Sequence, residues 1–123
     1  MSISVQIFGI KSSQATRAAE RFFKERRAQI HFVDLKQKPM SAGEIKRFTD
    51  KFGGLNQLLD KESKEYVEAG LAYLKVSDVT LMQRIESEPR LLRLPLVRSA
   101  NKLAVGQDEA GWKAMLSAPP TAK

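Results

Sequence analysis

A chain of 123 residues, 42% hydrophobic and 28% charged, has the size and composition of one folded domain. It contains no cysteine, which excludes disulfides, thiolate catalysis and cysteine-ligated zinc or iron–sulfur sites. The 21 Lys and Arg against 14 Asp and Glu leave a formal charge of +7, a surface that attracts polyanions or acidic proteins in a salt-dependent way.

In chain order, Ile3, Val5 and Ile7 alternate with Ser4 and Gln6, and Phe8 extends the apolar run, which reads as a strand. After a turn at Gly9, Ala15, Ala18, Ala19, Phe22 and Phe23 recur at helical spacing, with Arg17, Glu20, Arg21 and Lys24 on the outer face. Ile30 to Leu35 reads as a second strand, so short a return implying a right-handed crossover and a parallel pair. Ser41-Ala42-Gly43-Glu44 is a capping box opening a helix with Ile45, Phe48 and Phe52 inward, and Gly53-Gly54 ends it.

Leu55 to Leu74 reads as short helical pieces touching the core through Leu58, Leu59, Tyr66, Ala69 and Leu71. Asp78 is a candidate cap for a helix carrying Val79, Met82 and Ile85, which stops before Pro89. Leu94–Val97 and Lys102–Val105 read as two strands joined by a turn at Ser99-Ala100-Asn101. Asp108 opens a last helix with Trp112, Met115 and Leu116 inward. The expected organisation is one domain over residues 1–117 with a helical insertion at about 41–88, and a flexible tail over 118–123. The order β-α-β, helical insertion, β-β-α matches a thioredoxin-like α/β fold: a mixed four-stranded sheet flanked by helices.

No apolar run reaches the ~20 residues that span a bilayer, and Met1 to Ser4 lacks the build of a signal peptide. The expectation is a cytoplasmic protein with no membrane association. The basic residues are dispersed, from Arg17 and Arg21 through Lys36 and Lys38 to Arg90, Arg93 and Arg98, which argues against dedicated nucleic-acid binding.

Three stretches then resemble the arsenate reductase family, which includes the Spx-type regulators and small glutaredoxin-related proteins. Ile7-Phe8-Gly9-Ile10-Lys11-Ser12-Ser13 resembles its strand and nucleophile loop, often of the form Gly-Ile-Lys-Asn-Cys. Pro39 to Ile45 resembles its proline, capping box and second helix, and Pro89 to Val97, with Val105-Gly106 and Trp112, its closing segment. The resemblance runs from Val5 to about Leu116.

It implies that Ser13 occupies the place of the nucleophilic cysteine and that Pro95 matches the cis-proline beside it. It also implies that two oxyanion-holding arginines fall on Asp60 and Leu94, with a third missing near Val105-Gly106. A serine hydroxyl is un-ionised near neutral pH and cannot cycle through a sulfur–arsenic adduct or a disulfide. Losing nucleophile and guanidinium clamp together is hard to reconcile with arsenate reduction. No catalytic residue and no cofactor is therefore expected.

What remains is binding, of a protein partner or of a small anion or thiol compound. The candidate ligand residues are Lys11, Ser12, Ser13, Thr16 and Arg17 at a helix start, with Arg93 and Pro95. The plain alternative is that Ser13 is only an N-cap. A hydrolase would need His31, the only histidine, beside Ser13, yet His31 falls in a strand; one histidine and no cysteine also make a metal site improbable. Asp60, Glu62, Glu65 and Glu68 interleave with Lys61 and Lys64 as a solvated surface would.

Two other readings stay open. One is a glutathione-linked, thiol-dependent oxidoreductase whose natural cysteine was replaced at Ser13. The other is an Spx-like regulator that binds RNA polymerase, for which the strip Arg17, Arg21, Lys24 and Arg27 and the pair Gly53-Gly54 are the relevant features.

Overall fold

Alternation in the first segment produces β1 (Ser4–Gly9), with Val5 and Ile7 on one face and Gln6 and Phe8 on the other. The helical repeat after it produces α1 (Gln14–Glu25), and β2 (Gln29–Asp34) returns parallel to β1. β3 (Leu96–Ser99) lies antiparallel on the other side of β1 and pairs with β4 (Lys102–Val105), giving the order β2-β1-β3-β4. This computed structural model describes residues 3–71, 73, 76–99 and 102–117. The Ala100-Asn101 part of the expected hairpin turn, Leu74 and the expected 118–123 tail lie outside the described residues.

One face of the sheet carries Val5, Ile7, Val97 and Ala104 against Ala19, Phe22 and Phe23 of α1 and Trp112 and Met115 of α5 (Glu109–Ser117). Phe22 lies 5.1 Å from Phe23 and 5.4 Å from Trp112, ring centre to ring centre, a tilted cluster of the kind aromatic quadrupoles favour. The other face carries Phe8, Leu96 and Val105 against the segment between β2 and β3. That segment holds α2 (Ala42–Phe52), a 3-10 turn (Leu55–Leu58), α3 (Lys64–Glu68), α4 (Asp78–Ser87) and a second 3-10 turn (Pro89–Leu91). Phe48 of α2 meets Phe8 edge-on, 6.4 Å away, and anchors the segment to the sheet.

Several local expectations need correction. Gly9 is not a turn residue but the last residue of β1, pairing with Asp34. A Cβ there would fall inside the Thr16 side chain, so the glycine serves the close approach of α1 to the strand. The α4 cap is Ser77, whose hydroxyl accepts from the Thr80 amide; Asp78 is the first helical residue. Leu81 and Ile85 form the buried stripe of α4, while Val79 is 69% exposed and Met82 half-buried. β3 begins at Leu96 rather than Leu94, after the cis Leu94–Pro95 bond.

The capping box at α2 is half realised. The Ser41 hydroxyl accepts from the Glu44 amide at 3.2 Å. The Glu44 carboxylate instead pairs with Arg47 and Arg98, each at 3.5 Å. A guanidinium on the facing sheet outcompetes the Ser41 amide for it.

Candidate functional site

At the C-terminal end of β1 the chain turns through Ile10 to Ser13, closed by the Ser13 amide donating to the Ile10 carbonyl at 3.1 Å. Ser13 is the N-cap of α1, with an extended backbone (φ −80°, ψ 124°) and a hydroxyl that accepts from the Thr16 amide at 3.2 Å. Its carbonyl accepts from the Arg17 amide at 3.0 Å. Ser13 is buried, Lys11, Ser12 and Arg17 are exposed, and Thr16 is sealed against Gly9 with its hydroxyl unpartnered. Lys11, Ser12 and Arg17 thus lie exposed around the start of a helix whose first turn has no acidic residue, while Ser13 and Thr16 face inward, Ser13 as cap and Thr16 as packing. Free amides and the macrodipole make such a start favourable to an anion.

Arg90, which was not among the candidates, joins the rim at that helix start. Its guanidinium donates to the Ser12 hydroxyl at 2.6 Å, across 78 residues of sequence. Pro89 starts the 3-10 turn that presents Arg90, and the Glu88 carboxylate caps that turn by accepting the Arg90 amide at 3.3 Å. The only sequence signal was Pro89-Arg90 itself, which says nothing about a partner so distant.

Pro95 follows a cis bond and is buried. Leu96 pairs with Phe8, so the register sets Pro95 at the end of β1 where the chain departs toward Ser13. The Pro95 carbonyl accepts the Gly106 amide at 2.9 Å, which fixes this corner to the end of β4.

Arg93 is exposed and is tied to the first 3-10 turn by both its backbone and its side chain. Its amide donates to the Leu58 carbonyl at 2.7 Å, and its guanidinium donates to the Gln57 carbonyl at 3.4 Å. The same guanidinium lies over Gly106, 3.6 Å from where a Cβ would stand. Arg93 therefore joins the first 3-10 turn to the closing segment, next to a backbone link from the Asp60 amide to the Leu91 carbonyl at 2.8 Å.

Asp60 turns out to be structural. Its carboxylate accepts the Glu62 amide at 3.1 Å, and its carbonyl accepts from Ser63, which caps α3. An arginine could not make that Asx turn. Leu94 is buried among apolar residues. His31 is exposed in β2 opposite Gln6, three strand residues before Gly9, which alone separates it from the Ser13 turn by roughly 10 Å.

The fold and the cis-proline facing a helix-capped loop define a thioredoxin-like domain of the arsenate reductase type. The model of the ArsC family matches residues 8–115, and the chain belongs to that family. Among solved structures it is similar to an arsenate reductase from Vibrio cholerae, with a TM-score of 0.76 and 18% identity over 92% of this chain and 98% of that one. It is similar also to a putative arsenate reductase from Yersinia pestis, with a TM-score of 0.74 and 18% identity over 91% and 98%. An arsenate reductase related protein from Brucella melitensis matches at 22% identity and a TM-score of 0.63, over 96% and 98%. No curated protein sequence matches the chain. At these identities the likeness concerns the fold.

Proposed function

We infer that this chain is a family member without thiol chemistry whose remaining role is binding, at the rim from Lys11 to Arg17. The observation that carries the reading is the Ser13 hydroxyl, accepting the Thr16 amide at the place where the family resemblance puts a cysteine. That hydroxyl is un-ionised near neutral pH, and the chain's one histidine, His31, stands roughly 10 Å away along β2. The ligand class is a small oxyanion or an anionic thiol compound. The helix start would receive its charge, while Lys11, Arg17 and the Ser12-bound Arg90 surround it with cations. Pro95, fully buried after its cis bond, would hold the corner behind this loop without touching the ligand.

The loss of the family's arginines supports binding over turnover. Asp60 builds a turn and Leu94 fills the core, so the clamp that stabilises transferring charge is absent at both positions. Titration of sulfate, phosphate and arsenate into the 15N-labelled protein tests the reading. Saturable amide shifts confined to residues 11–17 and Arg90 are expected, and Arg90→Ala should weaken them about tenfold, the size of one charge-assisted hydrogen bond. Shifts that never saturate, or that saturate elsewhere on the sheet, contradict it.

A further inference from the structure

The strand order leaves β2 at one edge of the sheet, and its hydrogen-bond phase says which backbone groups face outward. The Gln29 amide donates to the Ile3 carbonyl at 2.7 Å, and the Leu35 amide to the Gly9 carbonyl at 2.8 Å. Backbone groups alternate sides along a strand, so Gln29, His31 and Val33 bond toward β1. The N–H and C=O groups of Ile30, Phe32 and Asp34 then point away from the sheet. Among the described residues no strand pairs with β2 on that side.

Sheet edges are normally blunted by shortness, by lysine or proline, or by a bulge. The opposite edge follows that rule, since β4 has four residues and begins with Lys102. β2 has six residues, Gln-Ile-His-Phe-Val-Asp, pairs with β1 residue for residue, and contains no Lys, Arg or Pro. The groove of about 610 Å³ lined by Gln29, His31, Ser4, Gln6 and Arg98 lies over the sheet face across β2, β1 and β3, so it borders the strand but is not the edge itself. The positive charge is set at the ends of the strand instead. Arg27 precedes it, held at φ 61°, and Lys36 and Lys38 follow it, all three exposed.

We propose that the β2 edge is a docking site for an extended acidic peptide segment of a partner protein, which adds to the sheet as a fifth strand. The peptide backbone bonds the outward groups of Ile30 and Phe32, and carboxylates at its two ends meet Arg27 and Lys36. About six residues match the strand, a length of ~20 Å. Main-chain bonds supply affinity and the flanking charges supply selectivity. Charge complementarity favours an acidic partner over a second copy, because two chains of +7 would bring the same cationic flanks together.

A random decapeptide display library selected on the immobilised protein tests this, with the best peptide followed by amide shifts and hydrogen exchange. Enriched sequences should alternate apolar and polar residues and carry Asp or Glu toward both ends. The bound peptide should slow exchange at the Ile30 and Phe32 amides. Phe32→Pro removes an outward N–H that β1 does not use, and should lower affinity about tenfold. Lys36→Glu with Lys38→Glu leaves the strand backbone alone and should lower affinity about fivefold while flattening its salt dependence.

Enrichment without acidic bias, or protection elsewhere than β2, would overturn the proposal. So would self-association of the free protein that protects Ile30 and Phe32, which would assign the edge to a second copy. Oxyanion shifts at residues 11–17 should be the same in Phe32→Pro, so the fate of this proposal is separate from that of the Lys11–Arg17 rim.

Discussion

On one face of the sheet, Val5, Ile7 and Val97 meet Phe22, Phe23 and Trp112, all of them buried. On the other, Phe8 and Leu96 are covered by the segment between β2 and β3, while Gln6, His31 and Arg98 extend past the end of that cover. The first face is closed by α1 and α5 and is built for packing. The second is closed only where the loop into α1 has to be held, and is polar beyond it. Both proposed binding places fall outside the packed face: the cations near Ser13 stand at one end of the sheet, and the β2 edge lies along its open side.

That contrast is broken most severely at Trp112. Trp112→Ala empties the centre of the closed face and should lower unfolding free energy by about 3–5 kcal/mol, read from denaturant midpoints. Gly9→Ala drives a methyl into Thr16 and should cost about 1–3 kcal/mol. Thr16→Ala in that background should recover most of the loss, since it removes the two atoms that collide, one of them an unpartnered hydroxyl.

On the open face, Arg98→Met leaves the Glu44 carboxylate paired with Arg47 alone and should cost about 1–2 kcal/mol, much of it regained in Arg98→Met with Glu44→Gln. The smallest effect belongs to Ser13. Ser13→Ala removes the α1 cap for about 1 kcal/mol. Ser13→Cys should leave stability nearly unchanged and still show no thiol-dependent reduction of arsenate, because Asp60 and Leu94 supply no guanidinium. Activity in Ser13→Cys would instead favour an oxidoreductase whose cysteine was replaced.

Much of this was legible in the sequence where signals are local. The alternation of Val5, Ile7 and Phe8, the hydroxyl before α1, the helical spacing of Phe22 and Phe23, and the proline ahead of β3 each act within a few residues. The resemblance then tied those pieces into the right order. What stayed hidden depends on distant partners. Arg90 on Ser12 and Arg98 on Glu44 join elements that only the folded sheet brings together. Glu44 shows the difference within one residue: its amide obeys the local capping rule, while its carboxylate follows tertiary electrostatics. Val79 was expected inside because the spacing to Met82 and Ile85 is helical, yet Leu81 and Ile85 define the face that α4 buries.

The most direct test of the account is an arsenate reduction assay on the unaltered chain, with glutathione and a glutaredoxin supplied in excess. A member of this family with a hydroxyl in place of sulfur should yield arsenite no faster than a protein-free control. Arsenite formed in proportion to the amount of this chain would contradict the account at its root.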